Sequence, residues 1–123
     1  MAALSTTFTV KQGSTFKFSA VLKDETDTAI PAASLATLKL TFYDYATGVI
    51  INNRTDQNVL NANNVTVDSS GNLAWIALPD DSPIMTVSLP VELHVAQFKW
   101  TYGTKGGRYA FGIKVENLGK AFL

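Results

Sequence analysis

The sequence predicts an all-β antiparallel sandwich of seven or eight strands with Greek-key connections, and three observations predict it. Apolar and polar residues alternate with a period of two in four separate runs. Turn-forming clusters punctuate the chain every eight to twelve residues, and no run sustains a helical period. The 123 residues suffice for one domain with its own core. A closed barrel is the alternative architecture.

The elements follow in order. Residues 1–10 are expected to be an N-terminal arm leading into a short edge strand around Phe8-Thr-Val10, residues 11–118 the sandwich, and residues 119–123 a tail. In Thr15 to Lys23, Phe16, Phe18, Ala20 and Leu22 alternate with Lys17, Ser19 and Val21, the mark of a half-buried strand. Asp24 to Asp27 ends it. Residues 29–36 could form one helical turn, but Pro31 and the shortness of the segment favour a connection. Leu38, Leu40 and Phe42 then face one way, and Thr37, Lys39, Thr41, Tyr43 and Tyr45 the other. Val49 to Ile51 reads as a short strand after the Ala46-Thr-Gly48 turn. Residues 52–64 are an asparagine-rich loop in which Asp56 could cap one helical turn through Asn61. Val65 to Val67 and Asn72 to Leu78 read as a hairpin whose turn requires a left-handed residue at Gly71. Pro90 limits residues 84–91 to an edge or a crossing loop. The last third reads as one long hairpin. His94, Ala96, Phe98, Trp100 and Tyr102 share one face of its first strand, residues 103–107 form the loop, and Tyr109, Phe111, Ile113 and Val115 share one face of the return. The expected core is Phe16, Phe18, Leu22, Leu38, Leu40, Phe42, Leu73, Trp75, Phe98, Trp100, Phe111 and Ile113.

Composition excludes several function classes. The absence of cysteine removes disulfides, thiolate catalysis and thiolate metal sites. His94 is the single histidine, so no multi-histidine metal site is expected, and neither a metal nor any other cofactor. Zero formal charge argues against a nucleic-acid partner. No stretch approaches the ~18 apolar residues of a membrane helix, and the N-terminal segment lacks the basic and apolar regions of a signal peptide, so no membrane partner is expected.

No catalytic residues are expected either. Ser88 and Glu92 are near His94 in sequence, but no nucleophile elbow accompanies them, and a lone histidine on an apolar strand face is read as a hydrogen-bonded structural group. The acidic clusters Asp24/Glu25/Asp27 and Asp80/Asp81 are read as turn chemistry rather than cation sites. Asn53-Arg-Thr55 and Asn64-Val-Thr66 match glycosylation acceptors by chance. Tyr43 and Tyr45, opposite the Leu38/Leu40/Phe42 face, are the best candidates for an exposed aromatic patch.

The order of the charges is informative. Residues 1–23 carry +3, residues 24–92 carry −7, and residues 93–123 carry +4. First and last strands of such sandwiches commonly neighbour each other, which would set a basic face against acidic loops and steer neighbouring subunits.

The segments LKDETDTAIPAASLATLKLTFYD, VLNANNVTVDSSGNLAWIAL and ELHVAQFKWTYGTKGGRYAFGIKVENL resemble the immunoglobulin-like structural proteins of tailed bacteriophage virions over about residues 10 to 118. The chain departs from antibody-type domains in lacking the two cysteines that pin a core tryptophan. The resemblance implies a non-enzymatic virion component, foremost a capsid decoration protein, with a head–tail or baseplate piece as alternative. Its partners would be capsid or other virion proteins, with the chain a homo-oligomer in an assembly built in the host cytoplasm. A carbohydrate-binding module for host recognition is the further alternative. The expected interface residues are Leu4, Phe8, Tyr43, Tyr45, Lys105, Arg108, Phe122 and Leu123, with both chain ends, residues 1–10 and 118–123, contacting neighbouring subunits.

Overall fold

A computed structural model describes residues 7–86 and 88–118. They form eight strands: β1 (Thr7–Lys11), β2 (Phe16–Val21), β3 (Thr37–Asp44), β4 (Gln57–Asn58), β5 (Val65–Val67), β6 (Asn72–Ala77), β7 (Val91–Tyr102) and β8 (Lys105–Glu116). A five-stranded sheet has the order β1-β8-β7-β3-β4, and a three-stranded sheet the order β2-β6-β5. Two inner strand sets, β8-β7-β3 and β2-β6-β5, match the order of an immunoglobulin-like sandwich. Neighbours pair antiparallel except β1, which lies parallel to β8 with Thr7 opposite Gly112 and Lys11 opposite Glu116. β1 and β8 are therefore neighbours, as the sandwich reading expects.

The alternation places every expected core residue inside. Inward residues of β2 and β6 bring Phe16, Phe18, Leu73 and Trp75 onto Phe42, Phe98 and Phe111 of the opposing sheet. Phe18 and Phe111 stack with ring centroids 3.8 Å apart, and Phe16 and Phe42 meet the Trp75 indole edge-on at 5.3 Å each. Such pairs add about 0.5–1.5 kcal/mol each beyond the area they bury.

Three local expectations are corrected. No helical turn follows Asp56. Asn52, Asn53, Asp56, Asn61, Asn63 and Asn64 all have positive φ, a conformation that asparagine and aspartate tolerate and that breaks a right-handed helix. Gln57–Asn58 pairs instead with Leu40 and Lys39 as β4. Val49 to Ile51 forms only a single bridge, Ile50 to Tyr43, because Ile51 turns into the core. The final hairpin loop is tighter than residues 103–107. Tyr102 pairs with Lys105 across the two-residue turn Gly103-Thr104, which the positive φ of Gly103 permits.

Residues 29–36 are a connection containing one 3-10 turn, Ala32–Ser34. Gly71 has φ +78°, and a Cβ there would lie 2.8 Å from the Ile30 carbonyl oxygen, so the hairpin turn requires glycine on both counts.

Truncation of Phe18 or Phe42 to alanine opens this core. Either change should lower unfolding free energy by roughly 3–5 kcal/mol, measured by urea denaturation. A loss under about 1 kcal/mol would show that these rings do not hold the sheets together.

Candidate interaction surface

The outer face of the five-stranded sheet collects cations. Strand period two sends Lys39 of β3, Lys99 of β7, Arg108 and Lys114 of β8 and Lys11 of β1 outward. Register then aligns them: Lys39 opposes Lys99, and Lys99 opposes Arg108, which makes a row of three cations across three strands. Among the outward strand residues of this face, Glu116 is the one acid, and it meets Lys11 at 3.5 Å. Asp56 of the preceding loop reaches Lys99 at 3.4 Å. Directly opposed like charges cost stability, so the row weakens the isolated fold while giving the face a field that attracts anions.

The outer face of the three-stranded sheet has different chemistry. It presents Ser19, Val21, Thr66, Asn72, Ala74 and Ile76, with Lys17 as its charge. Exposed carboxylates sit mostly in loops, Glu25, Asp27, Asp56, Asp68 and Asp80, with Asp24 half-buried among them.

The expected interface residues are distributed as follows. Tyr43 is half-buried beside Val95, its cross-strand partner, and Tyr45 is 46% exposed. Arg108 ends the cation row. Lys105 reaches Glu25 at 2.7 Å, and the Tyr102 hydroxyl donates to the same carboxylate at 3.4 Å, which ties the hairpin tip to the loop after β2. That contact holds the Glu25 carboxyl below its ordinary range and raises the Lys105 ammonium. Phe8 points into its own sandwich, against Phe16 and Phe111. Leu4, Phe122 and Leu123 lie outside the described residues.

Asp24 and Asp68 are turn residues, in line with the sequence reading. Asp24 Oδ1 accepts from the Thr26 hydroxyl and from the amides of Thr26 and Thr28. Asp68 accepts from the Asn72 side chain and from the amides of Asn72 and Ser70. These bonds favour the ionised forms and lower both pKa values.

Two polar clusters lie inside the protein, and sequence reasoning assigned neither. Arg54 and Asp81 are buried together, with Nε to Oδ1 at 2.6 Å and Nη2 to Oδ2 at 3.1 Å. Asn52 donates to the same carboxylate, as does the Leu78 amide. Arg54 also donates to Gln57 and lies over the Trp75 indole at 5.4 Å. The second cluster is Asp44, Glu92 and His94, all buried. Glu92 and His94 are two residues apart on β7, and Asp44 is the cross-strand partner of His94. The His94 Nε2 is 3.1 Å from Glu92 Oε1 and 3.9 Å from Asp44 Oδ1. Burial pushes the imidazole pKa down, against the upward pull of the two carboxylates. Asp44 and Glu92 share the inward parity of Phe42 and Phe98, a signal present in the alternation.

Set against family models, curated proteins and solved structures, the chain matches none. Among the described residues, no helix is long and apolar enough to cross a membrane.

Two predictions follow from these charges. Arg54→Met strands a buried carboxylate and should cost roughly 3–5 kcal/mol, whereas Arg54→Met with Asp81→Leu should recover much of it. Equal losses for the single and double variants in urea melts would show that the pair is not coupled. For Asp24 and Asp68 the folded pKa lies below the ordinary aspartate value of 3.8. Their contribution to stability is therefore complete above about pH 4 and is lost as pH falls through the folded values. NMR titration should find both carboxyls titrating below the ordinary aspartate value, and Asp24→Asn with Asp68→Asn should flatten the acid limb of stability.

Proposed function

We propose that this protein is a non-enzymatic assembly subunit that docks its basic sheet face onto acidic surface of neighbouring subunits. The sequence resemblance to tailed-phage sandwich proteins supports a virion reading, foremost as a capsid decoration protein, with a head–tail or baseplate position as the next reading. The observation that carries the proposal is the row Lys39–Lys99–Arg108, in which three cations oppose one another although this costs the isolated fold. A face held at that cost is explained by an anionic partner. The loop carboxylates of a second copy have the complementary charge, and contact between a face and a loop end is heterologous, the kind that builds rings or lattices. Many modest contacts of this sort suffice on a repeating surface. A sugar platform is the weaker reading: Trp75 and Trp100 are buried, which leaves Tyr43 on β3 and Tyr45 in the turn after it as the candidate aromatics.

Assembly mass, measured alone and with virion shell and tail proteins of the same genome, tests the proposal. A complex is expected at low salt. It should weaken as salt rises, because exposed charges are screened beyond ~8–10 Å at ordinary ionic strength. Lys99→Glu with Arg108→Glu should weaken it at least roughly tenfold with the melting temperature held or raised. A complex indifferent to both salt and charge reversal would refute docking through this face.

A further inference from the structure

We propose that Asp44, Glu92 and His94 form a three-ligand site for a first-row divalent cation, with Zn²⁺ the best fit, inside one end of the sandwich. The three ligand atoms lie within 4.8 Å of one another. The measured separations, 3.1 and 3.9 Å from His94 Nε2, bracket the roughly 3.3–3.6 Å expected between donors bonded at 2.0–2.2 Å to a tetrahedral centre. One imidazole nitrogen and two carboxylate oxygens are ligand types that zinc accepts.

Charge and hydrogen bonding point the same way. Two carboxylates have been taken out of water here, and His94 can offset at most one of them. The buried guanidinium of Arg54 is committed to Asp81. Asp44 Oδ1 is buried with no hydrogen-bond partner among the described residues, and at 3.9 Å the imidazole is too far to supply one. A cation reached by all three atoms gives that oxygen its missing partner.

The remaining oxygens are held from outside the cluster, as ligating carboxylates usually are. The Thr47 hydroxyl donates to Asp44 Oδ2 at 2.7 Å and the Thr86 amide to Glu92 Oε2 at 2.9 Å, while the Met85 amide orients the ligand oxygen Glu92 Oε1 itself. With a metal on Nε2, His94 Nδ1 carries the ring hydrogen and finds no acceptor among the described residues, a cost that the metal-free Nε2–H tautomer does not bear.

The test uses the whole chain, unfolded with chelator and refolded with one equivalent of Zn²⁺, because the cluster is closed to solvent. His94 is the only histidine, so one set of imidazole signals in the NMR spectrum reports the site. Zn²⁺ should shift that set stoichiometrically and raise the melting temperature on the order of 10 °C at a hundredfold excess over Kd. Asp44→Asn and Glu92→Gln keep the shape of the side chains and should each weaken Zn²⁺ binding by at least roughly tenfold. Unmoved imidazole signals with an unchanged melting temperature in the wild type would overturn the site, and that result stands even where a variant fails to fold. Equal Zn²⁺ affinity in a folded Asp44→Asn variant would also overturn it, by placing the metal on the loop carboxylates.

Discussion

The sheets are closed on each other by the Trp75 indole. It projects from the middle strand of the smaller sheet and meets rings from both layers: Phe16 beside it, and Phe42, Phe98 and Phe111 opposite. Antibody-type sandwiches bridge that gap with a disulfide, and this chain has no cysteine with which to do so. Cohesion between layers rests on ring contacts and on apolar area removed from water. One of the interior polar clusters rests on the same ring, because Arg54 lies over the indole and its burial requires Asp81. Asp81 in turn fixes the turn after β6 through the Leu78 amide, while Arg54 fixes the path of the asparagine-rich loop.

That loop shows where local sequence signals stop. Alternation in Phe16 to Leu22, Leu38 to Phe42, Asn72 to Ala77 and the two long C-terminal strands is a local property, and it placed every expected core residue. The requirement for a left-handed residue at Gly71 was legible for the same reason. β4 was not, because Gln57 and Asn58 become a strand only through pairing with β3. Asp56 looked like a helix cap because a cap is defined by one residue, whereas the run of left-handed asparagines around it is a property of the whole loop. Arg54 and Asp81 carry no local mark of burial, and the inward parity of Asp44 and Glu92 runs against the rule that charged side chains ordinarily lie at the surface. Their partners are set by tertiary structure: Arg54 and Asp81 are 27 residues apart.

Zero net charge conceals a division of labour. Of the nine acids between residues 24 and 92, Asp44, Asp81 and Glu92 are interior, and most of the others occupy loops. The bases gather on the β-strands of the larger sheet. A net-charge argument treats the molecule as a point, and here the point has no field although one face does. Interior acids answer to desolvation and need partners at hydrogen-bond range, whereas the outward bases are screened by salt and act on approach.

The parallel pairing of β1 with β8 bears on how the chain reaches this state. Lys11 and Glu116 are 105 residues apart, so β1 has no partner until β8 has emerged. Each closing contact of this kind carries a loop-closure cost, which places the sandwich among the slower-folding topologies. The β7–β8 hairpin, joined by two residues, forms locally and offers a ready template. During synthesis the β1 segment must therefore wait outside the sheet, its amides and carbonyls bonded to water, until β8 has left the ribosome.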